Sequence, residues 1–466
     1  MPTGKETVQR GRVTGFLLKP TTLITVVSWI ALGLYEWLFR VLHPAGLSSS
    51  AQVKTVPYLF QNYASDDLLQ TVKIADLANF GPMGLWYFHV QPPLHQAILY
   101  VLALPDILGG VQVTSELVDM RMYVVYIGIY GLLNALVFMW LRDLTGNKWI
   151  SWIFLVLWAI YPGNIAMATL LDGTYLSLYL ITLMLYFMYR FLRTRQSRYI
   201  TWWLVAFTVT SYARTIFQIH FMLLLAAALL CFWWMQKNKR RWAIMALQVL
   251  LVVVTVALPV QRYLMWGSFS TTTFGGYHRT GMLFYDPTPE AYNAIPIPAD
   301  IDARSQVFQS DNNIPIIVAD NIRREQLANE WIADHSLGDL FSVLGKSVKT
   351  NFDTAIAPTS MYSMNDFSHN LPWRAPMDGV LSGYVYPAIA VLALIVILIA
   401  AGPRRFLGYF RRYGWMMAFY LVIAGTILLQ NRNDWSEAHR LKVFVEIPVW
   451  LSVAFAVTLV IRKLQG

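Results

Sequence analysis

The chain has 466 residues, of which 56% are hydrophobic and 13% charged, and its mean hydropathy is +0.46. That is more apolar surface than one water-soluble core can bury, so the composition excludes an ordinary soluble enzyme and points to a polytopic membrane protein. The formal charge of +10 is explained below by where the basic residues fall, and it gives no reason to expect a nucleic-acid partner.

In chain order, the first predicted span is 22–42. Lys5, Arg10, Arg12 and Lys19 precede it and no small-residue cleavage site follows, so it reads as an uncleaved anchor. A long loop, 43–119, comes next. Its segment 93–109 is apolar enough to cross, but it begins at a double proline and is interrupted at Pro105-Asp106, so it is predicted to lie in the outer interface. Further spans are predicted at 120–141, 149–168 and 174–189. The stretch 199–235 is too long for one crossing and polar at Ser211-Tyr212-Ala213-Arg214, which predicts two short helices. A span at 242–261 leads into a polar region, 262–379, where 322–333 and 337–351 have the period of helices lying along a surface. The last three spans are 380–401, 415–430 and 441–461.

This makes about ten spans, and the basic residues test the number. The N-terminal cluster, Arg142 and Lys148, Arg190–Arg198, Lys237–Arg241, Arg404–Arg412, and Arg462 and Lys463 then all fall on one side. By the positive-inside bias that side is the cytoplasm, and it holds more than half of the 36 basic residues. Letting 93–109 cross would move three of the clusters outside. The expected architecture is an all-α polytopic membrane protein in three parts: a transmembrane module over 1–261, an extracytoplasmic lid over 262–379, and C-terminal helices over 380–466. The single cysteine, Cys231, excludes an intramolecular disulfide framework and a cysteine-cluster metal site.

Three outer positions carry candidate chemistry. Asp66 and Asp67 follow Ser65 at a predicted helix start; they read equally as a capped first turn favoured by the helix dipole, or as a base whose pKa is raised by its neighbour. At the outer end of the third span lies Asp172, which is either a turn residue or, being an acid flanked by apolar spans, part of a site. Arg214, between the two short helices, is either a snorkelling or ion-paired arginine or a phosphate contact. Arg262, His278, Arg279, His439 and Arg440 are further outer cations that could share a phosphate, while Lys54 and Lys73 are weaker candidates. An acidic pair on the outer surface, where no soluble nucleotide sugar is available, suggests a lipid-linked substrate.

The acidic pair soon after span one, Pro92-Pro93-Leu94 later in the same loop, and Leu170-Leu171-Asp172 after span three together resemble the polyprenyl-phosphate-dependent branch of the GT-C glycosyltransferases. That branch includes protein O-mannosyltransferases and the lipid A aminoarabinose transferase. The resemblance covers roughly the first 280 residues, with shorter echoes at Glu330–Ser336 and Ser436–Arg440. It implies a GT-C-like bundle, Asp66 as catalytic base, Asp172 in the donor or acceptor pocket, and a cation at Arg214 facing the donor phosphate. Two departures stand out. Asp67 replaces the mannosyltransferase Glu, and Gln91 stands where the aminoarabinose enzymes have Lys before Pro-Pro-Leu.

The function implied is single displacement, with inversion, from a polyprenyl-phosphate sugar to a hydroxyl of a lipid, glycan or protein acceptor on the extracytoplasmic side of a bacterial plasma membrane, as in cell-envelope glycan biosynthesis. Asp66 would take the acceptor's proton, and Arg214 with its neighbours would neutralise the departing phosphate. No cofactor is required; a divalent cation bridging Asp66, Asp67 and phosphate is an option the residues do not demand. A lipid-linked sugar transporter, a polysaccharide ligase and a non-catalytic assembly subunit are the alternatives.

Overall fold

The computed structural model describes residues 19–42, 72–168, 173–214, 219–236, 242–283, 288–311, 313–353, 385–430 and 435–465. Asp66, Asp67 and Asp172 lie outside them. Among the described residues every regular element is a helix, apart from one isolated bridge between Ser310 and Asn313.

Helix α1 (Pro20–Leu42) starts at a proline, whose missing N–H would have no partner in a first turn anyway. Before the next span come α2 (Ile74–Phe80), α3 (Pro82–Tyr87) and α4 (Leu94–Leu108). The long α5 (Ser115–Thr145) closes on Gly146, whose amide donates back to Arg142 O, and Asn147 then caps α6 (Lys148–Ala159) by accepting from Trp149 N and Ile150 N.

The expected single span 149–168 is two helices. Pro162 can neither donate to the ladder nor tolerate a helical residue before it, so the chain stops at Ala159 and restarts as α7 (Pro162–Ala168). The division of 199–235 falls where the polar stretch placed it, between α9 (Ser197–Ser211) and α10 (Ile219–Met235), following α8 (Thr174–Thr194). Helix α11 (Trp242–Trp266) carries Pro259 within it and continues past the expected boundary at 261, so Arg262 is helical and buried instead of opening a loop. The lid contains α12 (Gly275–Leu283), α13 (Pro289–Asn293), α14 (Ala299–Ser305), α15 (Pro315–Asp334) and α16 (Leu337–Asp353). The C-terminal helices are α17 (Val385–Ala401), α18 (Pro403–Gln430) and α19 (Trp435–Gln465).

Four of the described helices are long and apolar enough to cross a bilayer: Leu117–Thr145, Thr174–Thr194, Trp242–Trp266 and Val443–Gln465. Five further apolar helices of 10–17 described residues accompany them, among them Lys148–Ala159 and Leu94–Leu108.

The core lies between α5, α8 and α9, where Tyr126, Trp140, Tyr175, Trp203 and Phe207 are fully or nearly fully enclosed. Polar side chains join the neighbouring helices: Trp233 Nε1 donates to Gln248 Oε1 at 2.7 Å, and Gln248 Nε2 to Thr201 Oγ1 at 3.1 Å. At the end where the basic clusters gather, Arg190 pairs with Asp143 at 2.6 Å, Arg193 donates to Asp143 O, and Arg462 donates to Thr145 O. The bonds tie the ends of α5, α8 and α19 together.

At the other end, α4 crosses the bundle. Its first turn contacts α5 through His95 and Tyr126, and its last turn through Asp106, which pairs with both Arg121 nitrogens at 2.6 and 2.9 Å. Eleven residues of α4 cover about 16 Å, whereas Arg121 and Tyr126 are only about 7.5 Å apart along α5, so α4 cannot run alongside it. Pro105 does not interrupt α4: it stands in the last turn, where its missing N–H leaves only Val101 O without a ladder donor, and the next carbonyl, Leu102 O, accepts from Arg121. The Arg121 hydrogen bonds hold the Asp106 carboxyl below its usual range, so this clasp persists at neutral pH and loosens only in acid below that range.

In the lid, α12 lies directly on α15. A Cβ on Gly276 would stand 2.5 Å from Asn321 O and 2.9 Å from Glu325 N, both backbone atoms, and the Gly276 amide donates to Asn321 Oδ1 at 2.7 Å. Gly276→Ala is expected to force the helices apart and destabilise the lid by about 2 kcal/mol, seen as faster proteolysis between 270 and 335 in a limited-digestion time course. On α16, Leu337 and Phe341 are 73% and 70% exposed one turn apart, an outward apolar stripe.

Candidate functional site

The loop Phe88–Pro93 is the centre of the site, and its backbone explains why. Pro92 and Pro93 have no N–H, so Leu94 offers the first amide after Gln91, and as the first residue of α4 it has no partner within its own helix. That amide donates to Tyr212 O at 2.9 Å, two residues before Arg214. The Pro-Pro-Leu motif is thereby joined to the junction between α9 and α10.

The next residue makes the second link. His95, 7% exposed, has Nδ1 3.3 Å from the Tyr126 hydroxyl, and that hydroxyl accepts from Gly173 N at 2.7 Å. Gly173 follows Asp172 in the chain. Arg214 is buried as well, at 7% exposure, with its guanidinium 6.0 Å from the centre of the Phe444 ring on α19. The motif, the start of α8 and the Arg214 junction therefore meet in one region.

The third link runs to the lid. His89 N donates to Asn313 Oδ1 at 3.0 Å, Thr273 N donates to His89 O at 3.0 Å, and the Thr272 hydroxyl donates to Val90 O. These bonds lay the segment 268–274 along the loop, beside the end of α11. There Arg262 is 1% exposed, and its Nη2 donates to Gln91 O at 3.3 Å. The backbone carbonyl before the double proline thus meets a cation of this chain.

This cluster is unusual in what it leaves unpaired. Among the described residues no hydrogen-bond partner meets Arg262 Nε or Nη1, His89 Nε2, Trp266 Nε1 or Thr271 Oγ1, and all of these atoms are shut off from solvent. The His89 ring stands edge-on to Trp266, with centroids 5.1 Å apart. Burial, reinforced by the Arg262 charge, pushes the His89 imidazole down to about 3, so it is neutral at physiological pH. A buried guanidinium that meets no carboxylate among the described residues, beside an indole N–H, is a set of donors suited to an anion.

The other predicted outer cations lie on α12 and α19. Arg279 is half-buried on α12, and no hydrogen bond joins it to His89 or Arg262 among the described residues. His278 lies in α12 and His439 and Arg440 in the first turns of α19. Lys73 pairs with Asp311 at 2.6 Å, which takes up its charge. Among the described residues no three His, Cys, Asp or Glu side chains gather as a metal ion would require.

Sequence reasoning missed His89, His95 and Glu446. The two histidines flank Gln91–Leu94 in an otherwise apolar loop, a pattern that could have marked them. Glu446 is 1% exposed inside α19 and accepts from the Tyr161 hydroxyl at 2.9 Å; an acid within a span is a signal in itself.

No protein-family model matches the chain, and no curated protein matches it. Among solved structures it is similar to one described as ArnT from Cupriavidus metallidurans bound to undecaprenyl phosphate, with 12% identity, 94% of this chain and 78% of that chain covered, and a TM-score of 0.31. At that score the likeness carries no argument about this fold, and the site stands on its own geometry.

Proposed function

We propose that this chain is an integral-membrane glycosyltransferase that moves a sugar from a polyprenyl-phosphate donor to an acceptor hydroxyl. The observation that carries the reading is the Arg262 guanidinium, buried with two of its nitrogens, Nε and Nη1, unpaired among the described residues, against the loop that holds Pro92-Pro93-Leu94. An anion is what such a group lacks, and a lipid phosphate brings one to the end of a helix that is long and apolar enough to cross a bilayer.

In this reading the phosphate binds at Arg262, and Arg214 supplies a second positive charge across Leu94. The acids act on the acceptor: Asp66, aided by Asp67, takes the proton of the attacking hydroxyl, and Asp172 orients donor or acceptor. The hydroxyl oxygen forms a bond to the anomeric carbon as the bond to the phosphate oxygen breaks. The configuration inverts, and the phosphate leaves without needing a general acid. The reaction lies on the extracytoplasmic side, with the basic clusters of the opposite end in the cytoplasm.

The test is transfer of label from purified protein in lipid nanodiscs supplied with a panel of radiolabelled polyprenyl-phosphate sugars. The parent protein is expected to transfer or hydrolyse one of them, and Asp66→Asn to lose roughly 10²–10⁴-fold in rate with its fold intact. A scaffold or a carrier would be indifferent to that substitution, and turnover that survives it would place the base elsewhere.

A further inference from the structure

Arg262 does not stand alone in its cluster, and the histidine beside it has an unusually fixed ring. The main chain of His89 is held from both sides, by Asn313 Oδ1 on its N–H and Thr273 N on its carbonyl. The ring is held at Nδ1, 2.9 Å from the Thr273 hydroxyl, and by the Trp266 edge. With the ring so fixed, Nε2 is enclosed and has no partner. The Thr273 hydroxyl lies 2.9 Å from Nδ1 and 3.3 Å from His89 O; where it donates over the shorter contact, to Nδ1, the imidazole's own hydrogen is on Nε2, which adds a donor to a group of atoms that are donors already.

We propose that His89 is a phosphate-contacting residue, a neutral imidazole donating its Nε2 hydrogen to the same anion that Arg262 binds. The inference rests on the polyprenyl-phosphate reading above and adds to it a second protein group on the phosphate. A further neutral donor, Trp266 Nε1, joins them in a cluster that suits a tetrahedral oxyanion, which accepts several hydrogen bonds from different directions. Thr273 then acts as a positioning residue, choosing the tautomer.

Among the described residues the charged group acting on the ring is Arg262; Thr273, Asn313 and Trp266 around it are uncharged. The imidazole therefore stays neutral from pH 5 to 8, and any pH dependence of binding in that range comes from the ligand. A phosphate monoester loses its second proton near pH 6. Its affinity is expected to rise between pH 5 and pH 7.5, as its oxygens become better acceptors, and then to level off.

The experiment is equilibrium binding of a polyprenyl phosphate to the full chain in nanodiscs, for the parent, His89→Phe and His89→Gln. His89→Phe keeps the ring's shape and removes the donor; it is expected to weaken binding about tenfold, while His89→Gln, which can place an amide N–H near Nε2, recovers most of the loss. His89→Phe binding like the parent would overturn the proposal, as would His89→Gln being as weak as His89→Phe, or parent affinity falling above pH 6.5, the mark of a charged ring. Should His89→Phe fail to fold, His89→Gln against the parent and the pH series decide the matter. If the parent binds no polyprenyl phosphate, the reading of the whole site fails, an outcome distinct from a silent histidine.

Discussion

Arg262→Met is expected to abolish binding of a polyprenyl phosphate and, in the same protein, to raise the melting temperature of the ligand-free state. The two effects share one cause. The guanidinium is 1% exposed and spends one N–H on Gln91 O, while Nε and Nη1 meet nothing. Holding an unopposed charge away from water is costly, and methionine fills nearly the same space without it. Losing the Gln91 bond costs about 1 kcal/mol, and removing the buried charge returns about 1–4 kcal/mol. A desolvated charge contact is worth about 2–5 kcal/mol in binding, so the affinity should fall by about 30-fold or more. Thermal unfolding in nanodiscs with and without the lipid measures both. A variant less stable than the parent, with binding intact, would show that Arg262 serves the fold alone.

Gly131→Val is expected to detach α1 from α5. A Cβ at this position would stand 2.4 Å from Thr25 O and 3.1 Å from the Thr25 carbonyl carbon, and neither backbone atom can turn aside. Helix α1 must move away along its length, and the loss should be about 2–4 kcal/mol. Gly128, one turn earlier, is the control: a Cβ there meets nothing, so Gly128→Ala should hold or gain about 0.5–1 kcal/mol from helix propensity. Equal melting temperatures for Gly131→Val and the parent would contradict the close approach.

Much of the helical order was readable before any coordinates, because it depends on residues close in sequence. The apolar stretches became α1, α5, α8, α11 and α19, and the polar interruption at Ser211–Arg214 separates α9 from α10. Errors arose where one residue decides between two regular states. Pro162 ended what read as one continuous span, and Pro259, which could have ended α11, sits within it, so Arg262 moved from an expected loop into the core.

The site was less legible for a different reason. Its bonds join residues far apart in the chain: Tyr161 and Glu446 are separated by 285 positions, and His89 and Asn313 by 224. The histidines on either side of the double proline mark a site, but nothing local announces that one of them is an oxyanion contact. Arg214 was the more prominent cation in the sequence because of the polar residues around it; Arg262, among apolar neighbours, proved to be the one with unpaired N–H groups. The acids that the family resemblance emphasises, Asp66, Asp67 and Asp172, fall outside the described residues, so their roles rest on the sequence pattern and the proposed chemistry.

The bare guanidinium of Arg262 also ties folding to supply. A ligand that completes the cluster binds the native state alone, so each tenfold rise in free carrier lipid above its dissociation constant should add about 1.4 kcal/mol to the stability of the protein. If the proposed function holds, membranes depleted of that lipid would hold a weaker, shorter-lived protein, and its abundance would follow the size of the carrier pool without any dedicated regulator.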